Sequence, residues 1–172
     1  TASGGLGFDA SNGSSWAACQ LKDPDAPTMD IWYHYAVVQE GVRGRVVMYR
    51  DGTEVDSSTV TTSDDSGTYV NWFIGGGYNS SGTHIFVNGF DGYIDELRVS
   101  NVARYFENFT DFGQGGGTIS SPTEFTSDDN TLLLMHMDGS DAGTTFTDSA
   151  SPPSRHTITD HGDVTNTRAQ SK

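Results

Sequence analysis

The residue pattern predicts an all-β chain folded as an antiparallel sandwich, and three observations carry that expectation. Only 34% of its 172 residues are hydrophobic, while Gly, Ser, Thr, Asn and Asp abound, a mixture that favours short strands and turns over helices. Short apolar runs are punctuated by the dipeptides Asn12-Gly13 and Asp51-Gly52, which are hairpin signals. Between residues 90 and 99, Phe90, Gly92, Ile94, Glu96 and Arg98 fall on one parity, and Asp91, Tyr93, Asp95, Leu97 and Val99 on the other. Mixed faces of that kind suit a strand with a second sheet on one side and a loop or groove on the other.

Taken in order, residues 5–9 and 15–20 read as two short strands around the Asn12-Gly13 turn. Residues 23–27 form a loop, because Pro24 and Pro27 each withhold a ladder donor and restrain the residue before them. Residues 32–39 and 45–50 come next as strands, the second turning through Asp51-Gly52 into residues 53–55. From 56 to 67 the residues are mostly Ser, Thr and Asp, which predicts a solvated loop. Residues 71–77, with their three glycines, read as a strand with a bulge, and residues 85–87 lead into the alternating stretch. Val102 to Tyr105 are expected to make a short helical turn capped by Ser100. Residues 106–130 carry a Gly115-Gly116-Gly117 run and read as a Gly/Ser-rich linker. Beyond it, residues 131–137, 156–159 and 163–165 are further strand candidates.

Charge excludes whole classes of partner. A formal net charge of -14 repels nucleic-acid backbones and anionic membrane surfaces, and leaves calcium, neutral glycans or plain solubility as its uses. Cys19 is the only cysteine, so no intrachain disulfide can form, and a buried, inert thiol is expected. No run reaches transmembrane length, so membrane insertion is not expected. The opening Thr1-Ala2-Ser3-Gly4-Gly5 reads as the middle of a longer chain.

The motifs carry a family resemblance. F-D-G-Y-I-D-E-L-R-V-S-N-V-A-R-Y at residues 90–105, Trp32-Tyr33-His34-Tyr35-Ala36-Val37-Val38 and Val47-Met48-Tyr49-Arg50-Asp51-Gly52 together resemble strands of the concanavalin A-like, laminin-G-like jelly roll. Thr131-Leu132-Leu133-Leu134-Met135-His136-Met137-Asp138-Gly139 and Thr145-Phe146-Thr147-Asp148-Ser149 resemble that family's opening strand and the turn after it. The resemblance implies a jelly roll written out of order: late strands at 1–105, a linker at 106–130, and early strands at 131–172. Those early strands would complete the same domain or a neighbouring one, and residues 132–137 would lie beside residues 93–99. A strand supplied by another copy, or by a neighbouring repeat, would build a fibre through main-chain pairing.

For chemistry, the resemblance implies calcium held by Asp148 with Asp95 or Glu96, oxygen ligands of the hard kind calcium takes. Asp95 and Glu96 are adjacent, so on a strand they point to opposite faces and cannot flank one glycosidic bond; no enzyme activity is expected. The five histidines lack zinc spacing, and His136 reads as a satisfied core or cross-strand residue. Trp16, Trp32 and Trp72 are expected to pack in the core. Tyr78 in the loop Gly77-Tyr78-Asn79-Ser80-Ser81-Gly82, with Asn79 and Trp72, is the candidate surface for cell-surface glycans. The C-terminal wording is similar to tandem repeats of bacteriophage tail and fibre proteins, which implies a non-enzymatic structural or adhesion role on a virion surface or outside the cell. Competing classes are a secreted bacterial adhesin and a carbohydrate-binding accessory of an enzyme.

Overall fold

The computed structural model describes residues 5–10, 19–41, 44–59, 74–75, 90–110, 124–151, 156–160 and 164–167. The chain divides into two compact units: Thr1–Thr68 with Ser100–Thr126 and Lys172, and Tyr69–Val99 with Ser127–Ser171. Every regular element among the described residues is a strand: β1 (Gly7–Ala10), β2 (Cys19–Lys22), β3 (Tyr35–Gln39), β4 (Arg45–Arg50), β5 (Thr53–Thr59), β6 (Leu97–Ser100) and β7 (Thr131–Met135).

In the first unit β1 and β2 form an antiparallel pair whose last matched residues are Ala10 and Cys19. The turn Asn12-Gly13, and the strand expected at residues 85–87, lie outside the described residues. Strands β3, β4 and β5 make an antiparallel sheet with β4 in the middle. The central strand is buried on both faces, as period-two alternation requires when layers cover each side. Val46 and Met48 join Cys19 and Leu21 in one core cluster, against Phe8, Tyr35 and Val55, so the Cys19 thiol is buried as expected. Val47 and Tyr49 join Val38 in the other, against Ala36, Ala103, Tyr105 and Phe109. Each large apolar side chain fully buried in this way contributes about 1.5–3 kcal/mol relative to exposure, so β4 is where this unit's stability is concentrated.

Strand β5 is longer than its composition predicts. It continues through Asp56, Ser57, Ser58 and Thr59, paired with Met48, Val47, Val46 and Arg45, so the solvated loop expected from residue 56 begins later. Pairing with a buried strand overrides the weak β-propensity of Ser and Asp. Asp56 also gains a partner, its Oδ2 accepting the Lys22 N–H at 2.8 Å. The ladder shifts register between Met48 and Tyr49, so that Val55 is the extra residue of a bulge and its side chain reaches the core.

Strand β3 begins at Tyr35 rather than residue 32, and Trp32 is 40% exposed instead of packed in the core. The reason is local: Asp30 takes a left-handed φ of 61°, and the Tyr33 hydroxyl accepts the Thr28 N–H at 3.2 Å, closing residues 28–33 into a loop. The turn Asp51-Gly52 forms as expected, with Gly52 at φ 74°. The Gly52 carbonyl accepts the Phe109 N–H at 2.8 Å, and a Cβ at Gly52 would run into the Phe109 carbonyl. Phe109 stacks on Tyr105 with centroids 3.7 Å apart and planes 8° from parallel. Both rings pack against the β3–β4 core, which holds residues 103–109 on the sheet, and the helical turn expected at 102–105 does not form. Ser100 instead uses its Oγ to accept the Arg104 Nε–H at 2.6 Å. Phe109 and Phe125, both within the Gly/Ser-rich stretch, meet the His34 ring in T-shaped geometry.

In the second unit β6 and β7 are hydrogen-bonded neighbours. The alternating stretch is a strand only over its last residues, from Leu97 onward. Glu96 has a left-handed φ of 51°, which ends the extended course on its N-terminal side. Residues 91–96 therefore do not alternate between faces, and strand geometry does not hold Asp95 and Glu96 on opposite sides. Of the small strands expected at residues 156–159 and 163–165, the first is irregular, as are the described residues 164 and 165 of the second, whose residue 163 lies outside the described residues.

Candidate functional site

Strand β7 is launched by an acidic turn. The Asp128 carboxylate accepts the Asn130 N–H at 3.0 Å and the Thr131 hydroxyl at 2.7 Å, the short-range bonding that makes Asp a turn former. The strand then buries Thr131, Leu134 and Met135.

Asp148 organises the chain beyond β7. Its Oδ1 accepts the N–H groups of Leu134 at 3.0 Å and Ala150 at 2.9 Å. Its Oδ2 accepts the His156 N–H at 2.7 Å and faces His156 Nδ1 at 2.9 Å. Burial pushes this carboxyl upward, but the donors from Ala150, Leu134 and His156 outweigh it and hold the group below the usual carboxylate range. One buried acid thus ties β7 to residues 150 and 156.

Asn166 does the same for the loop after β7. Its amide Nδ2 donates to the carbonyls of Gly143 and Thr145, each at 3.1 Å, while its backbone bonds Ala142 and Gly143. The amide occupies the space that a side chain at residue 139 would need, so Gly139 is dictated by this close approach. His136, just past the end of β7, faces both carboxylate oxygens of Glu96, just before β6, at 3.1 Å through Nδ1, so it has a partner, although neither residue lies within a strand.

The residues implied as calcium ligands are otherwise engaged. Both Asp148 oxygens face N–H donors, Asp95 Oδ1 accepts the Glu96 N–H at 3.0 Å, and Glu96 faces the His136 ring. A calcium cage aims several oxygen lone pairs at one ion. At Asp148, nitrogen donors take those positions. Trp16, Trp72, Tyr78 and Asn79 lie outside the described residues.

The first unit holds a second buried acid that sequence reasoning missed. Asp23, 0% exposed, bonds Arg50 Nη1 at 2.7 Å and the Tyr35 hydroxyl at 2.7 Å through Oδ2, and its Oδ1 accepts the Asp25 N–H at 3.1 Å. Arg50 reaches Asp25 as well, at 3.3 Å, and lies 5.7 Å from the Tyr33 ring centroid. Burial, then the hydrogen bond to Asp23 and its charge, push the Tyr35 phenol up to about 12 against the opposing pull of Arg50. The only sequence signal was an Asp before Pro in an ordinary-looking loop. Further along the same loop Met29, Ile31 and Trp32 are exposed, as are Phe90, Tyr93 and Ile94 in the other unit.

Antiparallel strands, a doubly buried central strand and acids committed to bracing define a lectin-like β-sandwich module. The chain belongs to the concanavalin A-like lectin/glucanases superfamily, whose family model matches residues 1–107. Neither the curated proteins nor the solved structures yield a match. Domains of the laminin-G-like kind are typically non-enzymatic and commonly extracellular, and among the described residues no helix is long and apolar enough to cross a membrane.

Proposed function

We propose that this chain is a non-enzymatic structural and adhesion module of an extracellular or virion-surface fibre, and that it engages neutral cell-surface saccharides. The observation that supports the scaffold role is the use made of its buried acids. Asp23 is committed to Arg50 and Tyr35, and Asp148 to backbone N–H groups and His156. A glycosidase needs carboxyls free to protonate and attack a glycosidic bond, whereas these two hold loops in place. The net charge of -14 favours uncharged sugars over acidic ones. The binding candidates read from the sequence are Tyr78, Asn79 and Trp72: the two aromatic rings offer stacking faces and the Asn79 amide offers hydrogen-bonding groups.

A glycan array tests the binding half. Saturable binding to neutral saccharides that is lost in Tyr78→Ala supports the reading, and an array without signal refutes it. Release of reducing ends from a β-glucan by the purified chain would overturn the non-enzymatic half.

A further inference from the structure

We propose that residues 90–94 form a stacking platform for neutral pyranose sugars, a contact surface that rests on the saccharide-binding role above. Phe90 is 45% exposed, Tyr93 51% and Ile94 38%, with Ile74 at 43%, and all four belong to the second unit. Asp91 and Gly92, between the two rings in sequence, are exposed as well. This surface is held in place. The Phe90 N–H donates to the Gly75 carbonyl at 2.8 Å, a bond that joins the two ends of the stretch 76–89 containing Tyr78 and Asn79. On the other side Asp95 Oδ1 accepts the Glu96 N–H at 3.0 Å, and β6 begins at Leu97. Between these anchors the Phe90 ring rests on Gly92, its Cε1 and Cζ 2.9 Å from where a Cβ would stand. A ring seated on a bare Cα has little rotamer freedom left to lose when a ligand covers its open side.

Size and polarity select the occupant. Four side chains open to this extent leave on the order of 300–400 Å² of apolar surface, well short of the roughly 800 Å² that each side of a stable protein interface covers. A second copy of the chain is therefore too large a partner, whereas a sugar ring is about the size of one aromatic side chain. A pyranose presents C–H groups on a face and hydroxyls around its rim. The electron-rich face of an aromatic ring attracts the former, and a carboxylate accepts the latter in short, charge-assisted bonds. Asp91 and the Tyr93 hydroxyl supply the polar part, since neither has a hydrogen-bond or ion-pair partner among the described residues. Asp23 and Asp148 differ in this respect, both oxygens of each being taken. The net charge of -14 disfavours acidic sugars at the same place.

The test compares the full-length parent with Phe90→Ala, Tyr93→Ala and Gly92→Ala on an array of cello-, malto- and lactosamine oligosaccharides, followed by calorimetric titration of the saccharide that binds. Either loss of a ring should weaken binding about tenfold and leave the melting midpoint unmoved, because surface side chains carry little of the fold. Gly92→Ala keeps both rings but pushes that of Phe90 off its seat, and it should weaken binding too, whereas Phe90→Tyr should bind like the parent. A parent that binds a neutral saccharide, with Phe90→Ala and Tyr93→Ala binding it within about twofold, overturns the platform and leaves the saccharide-binding role standing. A parent that binds none overturns both. A parent dimer by light scattering that Phe90→Ala dissolves would put a second copy on this surface and overturn the proposal. Should an alanine variant fail to fold, Gly92→Ala decides in its place: weakened binding supports the platform and unchanged binding overturns it.

Discussion

Replacing Asp23 by alanine should be the most damaging single change in the first unit, and its size is set by the side chains it abandons. Asp23 is fully buried and accepts Arg50 and Tyr35 through one oxygen. Removing one partner of a buried ion pair costs about 3–5 kcal/mol, chiefly because the other charge stays behind. The Arg50 side chain is 22% exposed and retains Asp25 at 3.3 Å, which places the expectation at the lower end, about 3 kcal/mol. For a chain of this length that is a fall in melting midpoint of roughly 6–12 °C. Asp23→Asn keeps one acceptor oxygen in place of two, enough for the Tyr35 hydroxyl but not also for the Asp25 N–H, and loses the charge, so it should cost less than the alanine change. Urea unfolding of both variants, with Arg50→Met and the Asp23→Leu/Arg50→Met double change, gives the coupling. The double change should cost less than the sum of the single ones, because it leaves no orphaned charge. A loss below about 1 kcal/mol for Asp23→Ala, or equal losses for the Ala and Asn variants, would refute the idea that the ion pair braces this loop.

Asp148→Ala should loosen the second unit by about 3 kcal/mol, since charged acceptors of N–H groups are worth roughly 1.5–3 kcal/mol each and do not add fully. Amide exchange should accelerate at Leu134, Ala150 and His156 before it does in β4. The Asp148 carboxyl titrates below its unfolded value, so its contribution is present above about pH 4 and is lost as pH falls through the folded pKa; acid melts should show that loss in the parent and not in Asp148→Ala. Tyr35 has the opposite sign: its folded pKa is raised to about 12, so its stabilisation is whole below about pH 10 and disappears as pH rises through about 12. Absorbance titration should find a late-ionising phenol that is absent in Tyr35→Phe. Gly52→Ala combines a positive φ with a clash at the Phe109 carbonyl and should lower stability by more than Gly41→Ala, where the positive φ stands in open space and alone costs about 1 kcal/mol. Chelator should leave the melting midpoint unmoved, and a calcium-dependent rise would restore an ion to the Asp148 region.

Legibility along the chain tracked the range of the forces involved. The hairpin at Asp51-Gly52 was readable because turn chemistry is local. The pairing of the strand in 132–137 with the one ending the alternating stretch was readable through the motifs that β6 and β7 carry. Asp56 to Thr59 looked like loop because Ser and Asp disfavour strands on their own, and the strand exists only because β4 lies beside it. Trp32 looked like core because tryptophan usually is, yet the Asp30 and Tyr33 geometry turns it outward. His136 was expected to be satisfied, but its partner Glu96, 40 positions away, carried no local mark.

An antiparallel all-β chain of the concanavalin A-like kind, its central hairpin and its strongly acidic character could be read straight from residue order, because period, turn dipeptides and net charge are properties of short windows and sums. Which acids are engaged, and by what, was settled by the folded chain. Asp23 meets Arg50 across 27 positions and Asp148 meets Leu134 across 14. Such pairs are selected by burial, where an unpaired carboxylate is costly and a paired one locks a loop, and burial is not written in any short stretch of sequence.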